Sequence, residues 1–219
     1  MTPPAHKLAD QLGKTVNAFM SSLPEDEAQI VGASFEKLHS SDTAESAIAV
    51  GEIAPNFTLS DATGKTVSLH SRLDEGPVVL SFYRGGWCPF CNLEFKSLHD
   101  ILPQIKQHGA ILIGVSPELP DNSMSTVEKH NLQFEVLSDV GNKVALQYGL
   151  VMKVPEVIRP LYLEWGLDIP AVNGEDTWEL PIPATYVINT DGKIVSAYVN
   201  KNYTERMEPD DIIKVLETL

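Results

Sequence analysis

Two residues dominate the chemistry this sequence can offer: Cys88 and Cys91, the chain's only cysteines, set in Cys88-Pro89-Phe90-Cys91. A Cys-x-x-Cys pair beside a strand–helix–strand pattern points to dithiol–disulfide exchange. With Cys88 as a helix N-cap, Pro89 falls at the first helical position and Cys91 at the third, and the positive helix end favours thiolate over thiol. The thiolate is the attacking species, and an ordinary cysteine, with a pKa of about 8.5, is mostly protonated at neutral pH. Cys91 is close enough to resolve an adduct on Cys88, or the reverse. Arg84 either adds positive charge beside the pair or points into solvent. Gly85 and Gly86 would let backbone approach a substrate closely. Trp87 either shields the thiol and offers a flat docking surface or packs in the core.

Other uses of the pair fare worse. A disulfide closing so short a loop removes roughly 2 kcal/mol of chain entropy, and a cytosolic chain would keep it reduced. Zinc needs further ligands, yet the histidines at 6, 39, 70, 99, 108 and 130 contain no pair nearer than nine residues, against spacers of three to five in zinc motifs. No metal or cofactor is therefore expected. Two inert buried cysteines are the remaining bland reading.

The elements that must position the pair follow from hydrophobic patterning. Val78-Val79-Leu80-Ser81-Phe82-Tyr83 reads as a central strand buried on both faces. Phe95, Leu98, Leu102 and Ile105 give a helical stripe, with Pro103 expected to kink that helix against the carbonyl of His99. Ile111 to Val115 is a second buried strand, completing a right-handed βαβ unit and an α/β core. Before it, Phe57-Thr58-Leu59 and Thr66-Val67-Ser68 read as a hairpin. After it come a helix over residues 123–131, a strand from Phe134 to Leu137 and a helical turn from Lys143 to Tyr148. Residues 151–180, rich in proline, look like an insertion with one short helix. Thr185–Ile188 and Ile194–Val199 flank Asp191-Gly192, a hairpin signal, and Pro209–Leu219 is a closing helix.

Residues 1–45 form a helical extension. Leu8, Leu12, Val16, Phe19 and Leu23 share one face, and Pro24 punctuates before a second helix with Val31, Phe35 and Leu38 as its stripe. The pair either packs on its own domain, residues 46–219, or presents a surface to a partner, such as a homodimer formed through these helices. The chain has 219 residues, 43% of them hydrophobic, and a net charge of −14. That suits a globular chain with a core large enough to need no staples, and it opposes nucleic acid and anionic membranes. Without a basic start followed by an apolar run, a cytoplasmic protein is the default. The tripeptides at Asn56 and Asn202 match the glycosylation pattern, which has meaning only in a secreted chain.

Gly51-Glu52-Ile53-Ala54-Pro55-Asn56-Phe57, then Phe82 to Cys91, then Ile182-Pro183-Ala184-Thr185-Tyr186-Val187-Ile188 with Asp191-Gly192 together resemble the peroxiredoxin superfamily, alkyl hydroperoxide reductases and thiol-specific antioxidant proteins. More narrowly they are similar to its branch with a thioredoxin-style Cys-x-x-Cys. The resemblance implies a thioredoxin fold, a dithiol–disulfide cycle and a cis-proline at Pro183 facing the cysteines. It also departs from the family. Placing Cys91 at the family's peroxide-attacking cysteine puts Arg84 at its proline and Cys88 at its threonine. The arginine expected just before the strand at Thr185 is missing, which leaves Arg84 and backbone N–H groups to stabilise a leaving hydroxide. The expected activity is reduction of hydrogen peroxide or organic hydroperoxides, restored by a thioredoxin-like or glutathione-type reductant. Protein-disulfide reduction is the alternative, with Cys88 attacking, and a non-enzymatic redox sensor acting through the N-terminal helices is a third.

Overall fold

The computed structural model describes residues 7–123, 127 and 132–219. A seven-stranded mixed sheet runs through the centre. Its strands are β1 (Thr58–Asp61), β2 (Thr66–Ser68), β3 (Val78–Phe82), β4 (Ile111–Ser116), β5 (Glu135–Ser138), β8 (Ala184–Ile188) and β9 (Ile194–Val199), in the order β2-β1-β5-β4-β3-β8-β9. β3, β4 and β5 are parallel, and β8 and β9 add antiparallel on the far side of β3. β3 is thus an inner strand, and all five of its residues are buried. Its alternation splits between the two faces: Val79, with the following Tyr83, packs on one side with Phe95, Leu98 and Ile105, while Val78, Leu80 and Phe82 pack on the other with Val115, Leu137, Tyr148 and Tyr186.

The expected kinked helix is two helices. α4 (Pro89–Asp100) ends at Ile101, and α5 (Leu102–Gln107) starts anew with Pro103 in its first turn. A proline there loses only an N–H that has no partner in any helix, so breaking the helix costs less than bending it around the ring. The expected helix over 123–131 falls mostly outside the described residues. α3 (Leu69–Leu73) follows β2, and α9 (Pro209–Leu216) closes the chain against the α4–α5 side of the sheet.

Residues 151–180 hold more structure than the one short helix expected. β6 (Val151–Lys153) pairs antiparallel with β7 (Glu179–Pro181) as a separate two-stranded sheet. Between them lie a 3-10 turn (Glu156–Ile158), α7 (Arg159–Glu164) and α8 (Ile169–Asn173), while α6 (Lys143–Gln147) precedes β6. The prolines that look disruptive in sequence fall in first turns, Pro160 in α7 and Pro170 in α8, and Asp168 caps α8 by accepting the Ala171 N–H at 3.2 Å.

α1 (Leu8–Ser22) and α2 (Glu25–His39) turn their apolar stripes into the chain itself. Leu8 and Leu12 join the core beside α4, and Val31 and Leu38 pack with Met152, Ile158, Leu161 and Leu180. Lys7 offers no capping oxygen, and α1 is instead capped by the Glu208 carboxylate, which accepts the N–H groups of Leu8 and Ala9 at 3.1 and 2.8 Å. Among the described residues no helix is long and apolar enough to cross a membrane.

Candidate active site

β3 delivers the chain through Tyr83, Arg84 and the two glycines to Cys88, which is the N-cap of α4 with Pro89 at its first position, as the sequence spacing predicts. Both cysteines are free thiols and buried. Gly85 is needed where it stands. Its φ is +150°, and a Cβ would meet the Trp87 indole nitrogen at 2.3 Å, so the glycine makes room for Trp87 to fold back rather than for a substrate to approach. The Gly86 N–H is held by the buried Glu118 carboxylate at 2.9 Å. Burial raises Glu118 to about 7, against the lowering effect of that N–H.

Arg84 does not point into solvent. It is 2% exposed, its Nη1 lies 3.9 Å from the Cys88 sulfur, and its Nη2 donates to the Tyr162 hydroxyl at 2.9 Å. The guanidinium sits over the Tyr203 ring at 4.0 Å and the Trp87 ring at 4.8 Å, a cation–π sandwich that fixes it. Its Nε is buried with no partner.

A second cation, invisible to the sequence reading, serves Cys91. Arg206, in the loop after β9, brings Nη2 to 3.3 Å from the Cys91 sulfur and pairs through Nε with Glu94 at 2.5 Å. Its Nη1 donates to the carbonyls of Tyr203 and Glu205 at 2.6 and 2.8 Å, so every arm of the guanidinium is engaged. Thr185 Oγ1 lies 3.5 Å from the other Glu94 oxygen. A cation for the thiol pair that was expected just before β8 therefore comes from beyond β9. The signal available in sequence was Glu94, an acid on the stripe between Cys91 and Phe95, since a carboxylate on a buried helix face demands a cation.

The two thiols diverge. Burial pushes Cys88 up, but the hydrogen bond from the Cys91 thiol, then Arg84 and Arg206, outweigh it and bring Cys88 down to about 6. Burial and the neighbouring Cys88 hold Cys91 well above the usual thiol range, with Arg206 opposing them. The balance thus favours a thiolate at Cys88 over one at Cys91. Cys88 also lines a groove of about 300 Å³, with Arg84, Trp87, Tyr162 and Tyr203 around it, whereas Cys91 is not among the groove's lining residues.

Pro183 is buried, and the register that sets Ala184 opposite Phe82 places it beside the exit of β3. The cis bond expected there is absent: among the described residues every peptide bond is trans. β7 pairs with β6, and the Ile182 N–H donates to the Leu150 carbonyl at 2.7 Å, so the chain runs extended into β8 with no reversal for a cis bond to make.

Residues 50–197 match the AhpC/TSA family model. Chloroplastic peroxiredoxin Q of Populus jackii is 31% identical over 77% of this chain and 68% of its own length. The thiol-disulfide oxidoreductase ResA of Bacillus thuringiensis is 25% identical over 76% of this chain and 79% of its own. The crystal structure of peroxidoxin BcpB from Mycobacterium tuberculosis superposes with a TM-score of 0.62 at 22% identity, covering 78% of this chain and 98% of that one, which identifies the thioredoxin-like peroxiredoxin fold. The cytoplasmic default is corrected by the same comparison, because the peroxiredoxin Q relatives are chloroplastic proteins and the sequence features behind that default do not separate the two compartments. The match over most of the chain and the redox-poised Cys88–Cys91 pair lead to one assignment: the chain belongs to the AhpC/TSA family of thiol-dependent peroxidases.

Proposed function

We propose that this chain reduces hydroperoxides with Cys88 as the attacking thiolate and Cys91 as the resolving thiol, the reverse of the order implied by placing Cys91 at the family's peroxide-attacking cysteine. The observation that carries the assignment is that Cys88, not Cys91, is both the lowered thiol and the one lining the groove. The Cys88 thiolate attacks the terminal oxygen of the hydroperoxide, an S–O bond forms and the O–O bond breaks. The sulfur, now a sulfenic acid, has been oxidised by two electrons, and the leaving alkoxide or hydroxide takes a proton from water. Arg84, with Nη1 facing the sulfur, is the cation for that developing charge.

Loss of the charge on Cys88 removes one of the two influences that hold Cys91 protonated, burial being the other. Arg206 at 3.3 Å then favours the Cys91 thiolate, which attacks the sulfenic sulfur and expels hydroxide, protonated to water, leaving a Cys88–Cys91 disulfide. An external dithiol of the thioredoxin type returns two electrons and two protons. The order of attack and resolution thus follows from which sulfur is favoured as thiolate.

A second reading, protein-disulfide reduction with Cys88 again attacking, is favoured by the N-cap position of Cys88 and the similarity to ResA. Mixing reduced protein with hydrogen peroxide or cumene hydroperoxide, and following thiol loss in the wild type and in Cys88→Ser and Cys91→Ser, separates the two. Peroxide reduction predicts a rate at least about 100-fold above free cysteine, abolished in Cys88→Ser. A rate no faster than free cysteine rejects it in favour of disulfide reduction.

A further inference from the structure

Resting on Cys88 as the attacking thiolate, we infer that Phe35 of α2 is a positioning residue for Arg84, acting through the Tyr203 ring, so that the N-terminal helices help to set the Cys88 site. The Phe35 and Tyr203 rings stack at 4.6 Å between centroids, with 24° between their planes. The Arg84 guanidinium carbon lies 4.0 Å from the centre of the same Tyr203 ring, and Arg84 Nη1 lies 3.9 Å from the Cys88 sulfur. A chain of contacts thus leads from α2 to the reacting sulfur. Phe35 and Tyr203 both fall outside residues 50–197, the part of the chain that matches the family model.

The arrangement follows from how each member is held. Phe35 is half-buried, and Val31 and Leu38, one turn away on either side of it, are buried against the segment between β6 and β7, which seats α2 firmly. Tyr203 stands in the loop after β9. Its carbonyl accepts from Arg206 Nη1 at 2.6 Å, which fixes the backbone but not the plane of the ring. A ring on a loop turns about its side-chain torsions until a neighbour stops it, and Phe35 is the stacked neighbour here. Arg84 donates to the Tyr162 hydroxyl at 2.9 Å, and the flat faces of Tyr203 and Trp87 set the plane of its guanidinium. Cys88 is faced by the Cys91 thiol and by two cations, Arg84 and Arg206. Arg206 is pinned by Glu94 and by two carbonyls, none of them from α2. Loss of the Phe35 ring should therefore disturb one cation and leave the other in place. A guanidinium turned away from the sulfur favours the thiolate less, so the Cys88 midpoint should rise.

The test reads the pH midpoint of iodoacetamide alkylation, located on Cys88 by mass spectrometry. Phe35→Leu keeps apolar bulk and removes the flat face, and it should raise the midpoint by about 0.5 unit or more, with Phe35→Tyr restoring the wild-type value. Made in the Arg84→Met background, the same Phe35→Leu change should move the midpoint by less than about 0.2 unit, because the group it acts through is gone. An unmoved midpoint in Phe35→Leu would overturn the inference, and so would an equal shift with and without Arg84, since α2 would then act by another route. Should Phe35→Leu misfold by circular dichroism, Tyr203→Leu read in the same two backgrounds decides in its place, with the same shifts expected. Alkylation asks nothing of a peroxide. A wild-type chain that reduces peroxides no faster than free cysteine would overturn the peroxidase reading, while the midpoints would still decide the role of Phe35.

Discussion

Two arginines divide the two sulfurs between them, Arg84 facing Cys88 and Arg206 facing Cys91, and their different partners give them different consequences. Arg84 is held by a hydroxyl and two rings, so neutralising it leaves no buried carboxylate behind. Arg84→Met should therefore fold, and its effect should fall on Cys88. Losing the cation raises the thiol from about 6 toward its ordinary value, and the thiolate fraction at pH 7 falls. Iodoacetamide rates plotted against pH should show the midpoint moving up by about one unit or more in that variant, and an unmoved midpoint would contradict the role given to Arg84. Arg206 is otherwise. Arg206→Met strands the Glu94 carboxylate, 2% exposed, and should cost about 3–5 kcal/mol in denaturant unfolding, with most of it recovered in the double variant Arg206→Met/Glu94→Met. A double variant as unstable as the single would show that the pair is not what the loss measures. Cys88, Cys91 and the poise of the N-cap are local in sequence and could be read there, but Arg206 lies 115 positions from Cys91 and Tyr162 lies 78 from Arg84, distances over which spacing carries no signal.

At the scale of elements, α4 must be seated firmly on the sheet for its N-terminus to hold Cys88 against Arg84. The seat is Phe95, packed on Tyr83 at 4.3 Å between ring centres and on Phe134 at 5.4 Å, with Gly114 of β4 beneath it. A Cβ on Gly114 would lie 2.7 Å from Phe95 Cζ, and a ring so hemmed in has nowhere to move. Gly114→Ala should cost about 1–3 kcal/mol by overpacking and should slow thiol reactivity as α4 shifts. Unchanged stability in urea would mean that the ring has more freedom than its neighbours suggest. The strands and α4 itself were legible because period-2 and period-3.6 patterns survive in β3, β4 and the Phe95–Leu98 stripe. The break at Pro103 and the two helices of residues 151–180 were not, because a proline reads the same whether it kinks a helix or begins one.

Across the whole molecule, α1 and the segment that enters α9 close on each other. Glu208, just before α9, supplies the cap that α1 lacks, and α1 in turn carries Phe19 to the groove. Glu208→Ala should cost about 0.5–2 kcal/mol and speed hydrogen exchange at the first turn of α1, and unchanged exchange at Leu8 and Ala9 would argue that the cap is not formed in solution. The sequence reading left the N-terminal helices between packing on their own chain and serving a partner, and their stripes alone could not decide, since both uses need the same apolar face. Leu8, Leu12, Val31 and Leu38 lie buried within the chain itself.

The central claim is that Cys88 takes the peroxide oxygen and Cys91 follows. The most direct measurement is a single-turnover reaction of Cys91→Ser with one equivalent of cumene hydroperoxide, trapped with dimedone and mapped by mass spectrometry. The expected result is a near-stoichiometric sulfenic acid on Cys88, formed at close to the rate at which the wild type loses peroxide. Little or no adduct on Cys88, with Cys88→Ser instead forming a sulfenic acid on Cys91 at the wild-type rate, would reverse the roles of the two sulfurs and contradict the account.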